Sequence, residues 1–425
     1  MKKIGIIGAG PAGLMAAISA KNENNQIIIF EGNESIGKKL LMTGGGRCNI
    51  TNTAYFEDFL DNVVRNKKFM YSAFTSFDNY SLIDYLNING IETIVEEDGR
   101  VFPKSQKASD FVDFFHSQLR QKTINLKTSV KIEKVYKDKL FYLTDQKGKT
   151  YSFDYLIVAT GGRSYPQTGS NGNGYKIASK LGHNIIKPEP VLVPIFIKNK
   201  LNLRAQSFKG VEILIDLGKE SQTICGDILM NTNFLTGPAA LKASSFIRGK
   251  DIKALAIDFL PKQTYNDLEE KILNDIKENP KKSVGNALKN LINSSLLDEI
   301  LALSKIDINK KSSELSKDER KNIIGKIKRF SLDFDHLGSF ESAVVTRGGV
   351  DIKEINPQSM ESKLVDGLFF VGEILDIDSL TGGYNLQTYL STAYQAGSFI
   401  KEKKWHTLLQ LMGQVDLANQ PYHKY

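Results

Sequence analysis

Gly8-Ala9-Gly10-Pro11-Ala12-Gly13 follows the apolar run Ile4, Ile6, Ile7 and opens into Leu14 to Ala20, and Glu31 ends the next apolar run, Ile27 to Phe30. Period and composition read this stretch as strand, glycine turn, helix and strand, a βαβ opening. Each part of the turn has a task in binding a dinucleotide. Gly8 makes the tight turn, Gly10 lets backbone approach a pyrophosphate, and Gly13 allows the helix to pack closely on the strand. With Pro11 and Ala12 they begin a helix whose free N–H groups and positive dipole end suit phosphates. Glu31 is placed to accept hydrogen bonds from the adenosine ribose hydroxyls, an arrangement that a 2′-phosphate would repel.

FAD and NAD share this half-site, and three further glycine clusters favour FAD. Thr43-Gly44-Gly45-Gly46-Arg47-Cys48-Asn49 comes soon after Glu31, where a second pass of backbone suits a long cofactor. The run Tyr155 to Ala159 leads into Thr160-Gly161-Gly162, and the run Gly367 to Val371 leads into Gly372-Glu373. Leu380-Thr381-Gly382-Gly383-Tyr384-Asn385-Leu386 then precedes a helix expected to run through Ala396. Contacts so dispersed fit an extended, tightly bound FAD better than a dissociable nicotinamide nucleotide. Only one GxGxxG pattern follows a strand, since Gly169, Gly172 and Gly174 do not. NAD(P)H is therefore expected as a transient electron donor at the flavin.

The chain has 425 residues, 41% hydrophobic and 24% charged, which suits two or three globular domains. Strands apolar on both faces suit a parallel sheet covered by helices. The expected class is α/β, with a Rossmann-like FAD-binding domain of the glutathione-reductase type. Its expected parts are residues 1–190 and 335–425, around an inserted domain at 191–334. Within the insert, about 191–262 reads as β-rich, with strands such as Val211 to Asp216 and Leu255 to Phe259. About 263–330 reads as a small helical part, with Leu268, Ile272 and Ile276 on one helix that stops at Asn279-Pro280. Ser316-Lys317-Asp318-Glu319 is a capping-box pattern ahead of Ile323, Ile324, Ile327 and Phe330.

No apolar run approaches the roughly 18 to 20 residues of a membrane span, so no membrane partner is expected. Lys2 and Lys3 before an apolar run ending at Ala16 to Ala20 imitate a secretory signal, but the glycines at 8, 10 and 13 argue against one. Cys48 and Cys225 are too few for a disulfide framework or a zinc site, and a reducing, cytoplasmic compartment is expected. The net charge is +8. Residues 262–329 hold 15 Lys/Arg against 11 Asp/Glu, half of the excess. Lys281-Lys282, Lys310-Lys311 and Lys326 to Arg329 are the clusters that phosphate contacts would use, although a charge run is usually a solvated face.

The chain resembles the HI0933-like flavoproteins, NAD(P)/FAD-dependent oxidoreductases that include bile-acid dienone reductases, proteins described as aminoacetone oxidases and a ribosomal RNA dihydrouridine synthase. The resemblance is carried by Gly37-Lys38-Lys39-Leu40-Leu41 with Thr43 through Asn52, by Gly99-Arg100-Val101-Phe102-Pro103, by Ala159 through Gly174, and by Phe234-Leu235-Thr236-Gly237-Pro238. Thr346-Arg347-Gly348-Gly349-Val350 and Gly367 through Leu386 complete it. It implies a discontinuous FAD domain with an inserted domain, and it adds Lys39 and Val130 to the cofactor-binding residues. It leaves the substrate open.

Reducing a C=C bond requires hydride at one carbon and a proton at the other. Cys48, Tyr165 and Tyr384 are the candidate acids, each with a structural alternative: contact with FAD for the cysteine and amphipathic packing for the tyrosines. Arg47 and Arg100 are candidates for an anionic or carbonyl group, or for the FAD phosphates. The Gly382-Gly383 turn is where a helix N-terminus could face the flavin edge that becomes negative on reduction. His116, His183, His336, His406 and His423 show no metal spacing and receive no role. The leading expectation is an NAD(P)H-dependent reductase of an activated C=C bond in a small enone or dienone. The alternatives are reduction of uridine in ribosomal RNA, oxidation of an aminoacetone-like amine with release of hydrogen peroxide, and a non-catalytic flavin-containing binding protein.

Overall fold

The computed structural model describes residues 1–203, 205–247 and 250–411, with side chains of the last helix described through residue 403. The chain divides into two compact units, Met1–Glu189 with the residues from Val345 on, and Pro190–Val344.

The first unit is organised by a five-stranded sheet in the order Leu368–Phe370, Tyr155–Val158, Lys2–Ile7, Asn25–Phe30, Asn125–Lys127. Every neighbouring pair is parallel. One row across it, Phe369, Ile157, Ile6 and Ile29, is wholly excluded from solvent. Such strands read as unbroken apolar runs because helices cover the faces of a parallel sheet. The helix Pro11–Ala20 packs along the C-terminal helix Tyr384–Leu411. A Cβ on Gly397 would lie 2.7 Å from Ala16 O and 2.6 Å from Ser19 Cβ, so the two helices meet at backbone distance. The C-terminal helix extends well past the expected Ala396, since nothing after that residue breaks it: Gly397 is accommodated by the crossing.

A three-stranded antiparallel sheet of Ile132–Lys137, Phe141–Asp145 and Thr150–Phe153 belongs to the same unit. So does a small sheet of Thr51–Asn52, Arg100–Pro103 and Thr93–Val95.

The second unit has its own core around a seven-stranded antiparallel sheet whose longest strands are Gln206–Asp216 and Ser221–Met230. Its helices include Tyr265–Glu278 and Lys317–Lys328. The first starts with a capping box of Thr264 and Asp267 that the sequence reading did not single out, and the second with the expected box of Ser316 and Glu319. Ile323, Ile324, Ile327 and Phe330 are buried, as their spacing requires.

Candidate active site

The glycine turn separates its two tasks clearly. A Cβ on Gly8, whose φ is +104°, would lie 2.4 Å from Ala159 O, and one on Gly13 would lie 2.0 Å from Gly8 O. These two glycines are spent on packing. A Cβ on Gly10 would meet nothing within 4 Å, so this is the open face of the turn. The helix that follows has no side-chain cap and no acidic residue in its first turn, which leaves its positive end to an anion. Glu31 stands beside it, with Oε2 accepting from Ala9 N at 2.9 Å and Oε1 from Asn33 N at 2.8 Å. Val130 reaches this end of the sheet through its backbone, its N–H donating to Glu31 O at 2.8 Å.

If Glu31 holds the ribose, Glu31→Arg should purify with flavin content lowered at least tenfold, because it replaces an acceptor by a donor of the wrong charge at the turn. The ratio of absorbance near 450 nm to that of the protein checks this. A fully yellow variant would refute the ribose assignment.

The loop after Lys39 presents three left-handed glycines in succession, Gly44, Gly45 and Gly46, at φ of 58°, 67° and 89°. A Cβ on Gly45 or Gly46 would again meet nothing within 4 Å, whereas one on Gly44 would press on Asn49 N. Cys48 is fully buried behind them, and burial pushes its thiol up to about 12, so it keeps its proton at neutral pH. Arg47 lies 4.2 Å from the centre of the Phe102 ring and donates to Glu96 Oε1 at 2.7 Å and Gln106 Oε1 at 3.0 Å. Arg100 takes the other oxygen of Glu96 at 2.8 Å and Asp98 at 2.6 Å. Both arginines are thus engaged by carboxylates.

The two glycine-ended strands converge on a buried polar network. Lys39 Nζ is 2.6 Å from both Glu373 Oε2 and Ser164 Oγ. Glu373 Oε1 accepts from Ser164 Oγ at 2.7 Å and from Thr346 N at 2.9 Å. Thr346 Oγ1 accepts from Arg163 N and Ser164 N, and a Cβ on Gly162 would lie 2.5 Å from that oxygen. Gly161 takes a left-handed turn with φ of 70°. In Thr160 the hydroxyl oxygen is buried without a hydrogen-bond partner. Next to this network, Asp378 is clasped by Arg347 through two bonds of 3.0 and 2.9 Å, and Asp376 pairs with Arg65 at 2.6 Å. Burial raises the Asp378 carboxyl above the usual carboxylate range, and Arg347 opposes that rise. Ser164, Asp376 and Asp378 were not singled out by sequence reasoning. Their signal is burial, which residue type alone does not reveal.

Tyr384 begins the C-terminal helix with its ring edge-on to Phe59 at 4.8 Å, and Tyr165 is half-buried at φ of 49° beside Ser164. Burial raises both phenols, so both are protonated hydroxyls at neutral pH. Asn385 pins the preceding turn by bonds to Ser379 N, Ser379 O and Leu380 O at 2.9, 2.8 and 3.0 Å, and Leu386 is buried in the core. The structure therefore gathers Cys48, Asn49, Gly383 and Tyr384 in one neighbourhood and Lys39, Ser164 and Glu373 in another. His336 is exposed in the second unit, and His183 is buried against Phe370. His423 and the side chain of His406 lie outside the described residues. Among the described residues no cluster of His, Cys, Asp and Glu suits a metal, and no helix is long and apolar enough to cross a membrane.

The open faces of Gly10, Gly45 and Gly46, the uncapped helix end and Glu31 fit FAD in its extended form. The family model described as the HI0933-like protein Rossmann domain matches residues 2–399. The 3-dehydro-bile acid delta(4,6)-reductase of Clostridium scindens is 28% identical over 412 residues, covering 95% of this chain and all of that protein. The ribosomal RNA dihydrouridine synthase of Escherichia coli is 30% identical over 391 residues, covering 92% of this chain and 95% of that protein. Among solved structures, the 3-ketosteroid delta1-dehydrogenase of Sterolibacterium denitrificans shares the fold with a TM-score of 0.50 at 11% identity, over 95% of this chain and 100% of that one.

Proposed function

The chain belongs to the HI0933-like protein family, whose members include FAD-dependent oxidoreductases, and from that premise we propose that it is an NAD(P)H-linked reductase of a C=C bond conjugated to a carbonyl. The observation that carries this reading is the end-to-end match to two relatives with different substrates and one chemistry. A delta(4,6)-reductase saturates a double bond of a 3-oxo steroid acid, and a dihydrouridine synthase saturates the C5=C6 bond of uridine. An alkene conjugated to a carbonyl can be reduced by hydride at the far carbon and a proton at the other, and that is the reaction proposed for this chain.

When bound, FAD supplies the hydride. The chain's own part is to hold the cofactor, place the substrate carbonyl and deliver a proton. Tyr384 and Tyr165 are the candidate donors, because each holds its phenolic proton at neutral pH and adjoins one of the glycine clusters. The complete burial of Cys48 speaks for packing behind the glycine loop. A transient visit by NAD(P)H suits the sheets of the described residues, where the five-stranded sheet of the first unit is parallel and the seven-stranded sheet of the second is antiparallel. A reducing compartment suits two cysteines that are both free thiols.

We place a small enone or dienone first and uridine in ribosomal RNA second. The second reading draws on the Escherichia coli relative and on exposed Lys281, Lys282, Lys311 and Arg329. It is weakened because Lys310, Arg320 and Lys328 of the same helical part are paired with Glu319, Glu269 and Asp258.

Anaerobic stopped-flow absorbance near 450 nm tests the proposal. NADH or NADPH should bleach the purified protein rapidly, oxygen should restore the colour slowly, and an enone should restore it at least tenfold faster than uridine-bearing RNA does. Faster return with RNA would exchange the two readings. Failure to bleach with either nucleotide would overturn the reductase, in favour of an amine oxidase if an amine bleaches it and peroxide appears in air, and of a structural flavin if nothing does.

A further inference from the structure

The peptide unit joining Gly382 to Gly383 is held at both of its polar ends. Its carbonyl, Gly382 O, accepts from Asn52 Nδ2 at 3.2 Å. Its N–H, on Gly383, donates to Asn49 Oδ1 at 3.0 Å. The Asn49 amide takes this orientation because its nitrogen then donates to Thr51 O at 3.0 Å and Val101 O at 3.3 Å; the opposite orientation would set oxygen against those carbonyls. Asn52 is fixed in turn, since Oδ1 accepts from Ala54 N at 2.9 Å and its backbone carbonyl accepts from Asn79 Nδ2 at 2.7 Å. Asn52 and Asn79 are buried and Asn49 is half-buried.

The clamp matters because of what it holds. Gly382 and Gly383 have φ of +126° and +96°, a region that only glycine occupies freely, and a Gly–Gly peptide has no side chain to oppose rotation of its plane. The surroundings leave room for nothing else: a Cβ on Gly383 would lie 2.3 Å from Thr51 O, and one on Gly382 would lie 2.8 Å from the Tyr384 ring. This peptide immediately precedes the first N–H groups of the helix Tyr384–Leu411, so its orientation sets theirs.

We infer that Asn49 and Asn52 are positioning residues that lock the Gly382–Gly383 peptide plane and so aim the N-terminal end of the last helix at the flavin, tuning how well negative charge on the reduced ring is stabilised. The inference rests on the FAD reading above and deepens it. Neither asparagine needs to touch substrate; both act through the peptide between them.

The test uses the flavin-loaded protein as purified, with Asn52→Ser and Asn49→Ser. Serine is neutral and polar but too short to reach the peptide. Each variant should retain FAD, bind sulfite about tenfold more weakly in a titration followed near 450 nm, and show a lower flavin reduction potential, as expected when a helix-end interaction with an anion is misaligned. The double variant should be no worse than either single one, because both amides act on one peptide unit. Unchanged sulfite affinity and potential in a flavin-loaded variant would overturn the inference, and so would losses that simply add. If one variant does not accumulate with flavin, the other decides alone. A parent protein that purifies without flavin would instead refute the FAD reading.

Discussion

Gly13→Ala is expected to give insoluble or flavin-free protein, whereas Gly10→Ala, the same substitution three residues earlier, is expected to fold and to lose flavin only in part. The added methyl at Gly13 would lie 2.0 Å from Gly8 O and 3.2 Å from Ala159 Cβ. The nearer of these is backbone of the turn itself, so no flexible side chain can yield. Relief requires the helix Pro11–Ala20 to lift away from the first strand, and that helix is buried along nearly its whole length, with Leu14, Met15, Ala16 and Ala17 all excluded from solvent. Overpacking of an ordinary core site costs about 1 to 3 kcal/mol. A clash with backbone at the junction of turn, helix and sheet exceeds that range, against a total stability of about 5 to 15 kcal/mol. At Gly10 the methyl meets no protein atom within 4 Å, so it intrudes only on whatever occupies the open face. Circular dichroism and flavin absorbance of the two variants check this. A folded, yellow Gly13→Ala would show that the turn is not packed as described, and a Gly10→Ala with undiminished flavin would remove the open face from the site.

The contrast between these glycines also marks what the sequence reveals and what it hides. The strand, turn, helix and acidic residue from Ile4 to Glu31 are legible because their partners lie within a few turns of chain and follow local periodicity. That Gly8 packs against Ala159, and Gly372 against Ala12, is not legible, because those contacts join segments far apart in sequence that meet only through the order of the strands in the sheet, which no local pattern encodes. The candidate residues show the same division. Arg47 and Arg100 read as anion binders from their type alone, yet Glu96 lies between them and engages both; its spacing of four residues from Arg100 is a signal that pattern reading could have used. Asn49 reads as part of a cofactor loop, and its reach to the peptide of Gly383 emerges only from the fold. Lys39 and Glu373 are both expected among the cofactor-binding residues, but that they pair with each other at 2.6 Å, with the Glu373 carboxylate buried, emerges only from the fold.

That last pair gives the second large effect. Lys39→Met is expected to destabilise the first unit by about 3 kcal/mol, because removing one partner of a buried ion pair strands the other. Glu373 is only 5% exposed, and with Lys39 gone its Oε2 loses the cation at 2.6 Å. The remaining donors, Ser164 Oγ and Thr346 N, both serve Oε1. Lys39 itself is 21% exposed, which places the cost toward the lower end of the range for wholly buried pairs. Thermal unfolding should register a fall of several degrees, since about 1 kcal/mol corresponds to roughly 2 to 4 °C in a unit of this size. The double variant Lys39→Met with Glu373→Gln should recover most of the loss, because it removes the stranded charge while an amide oxygen still accepts from Ser164 and Thr346. Recovery of stability without recovery of flavin would assign the pair a direct share in holding the cofactor. Recovery of both would make it a brace between the glycine loop and the strand that ends at Gly372, and a single variant as stable as the parent would mean that solvent reaches Glu373 more freely than its burial implies.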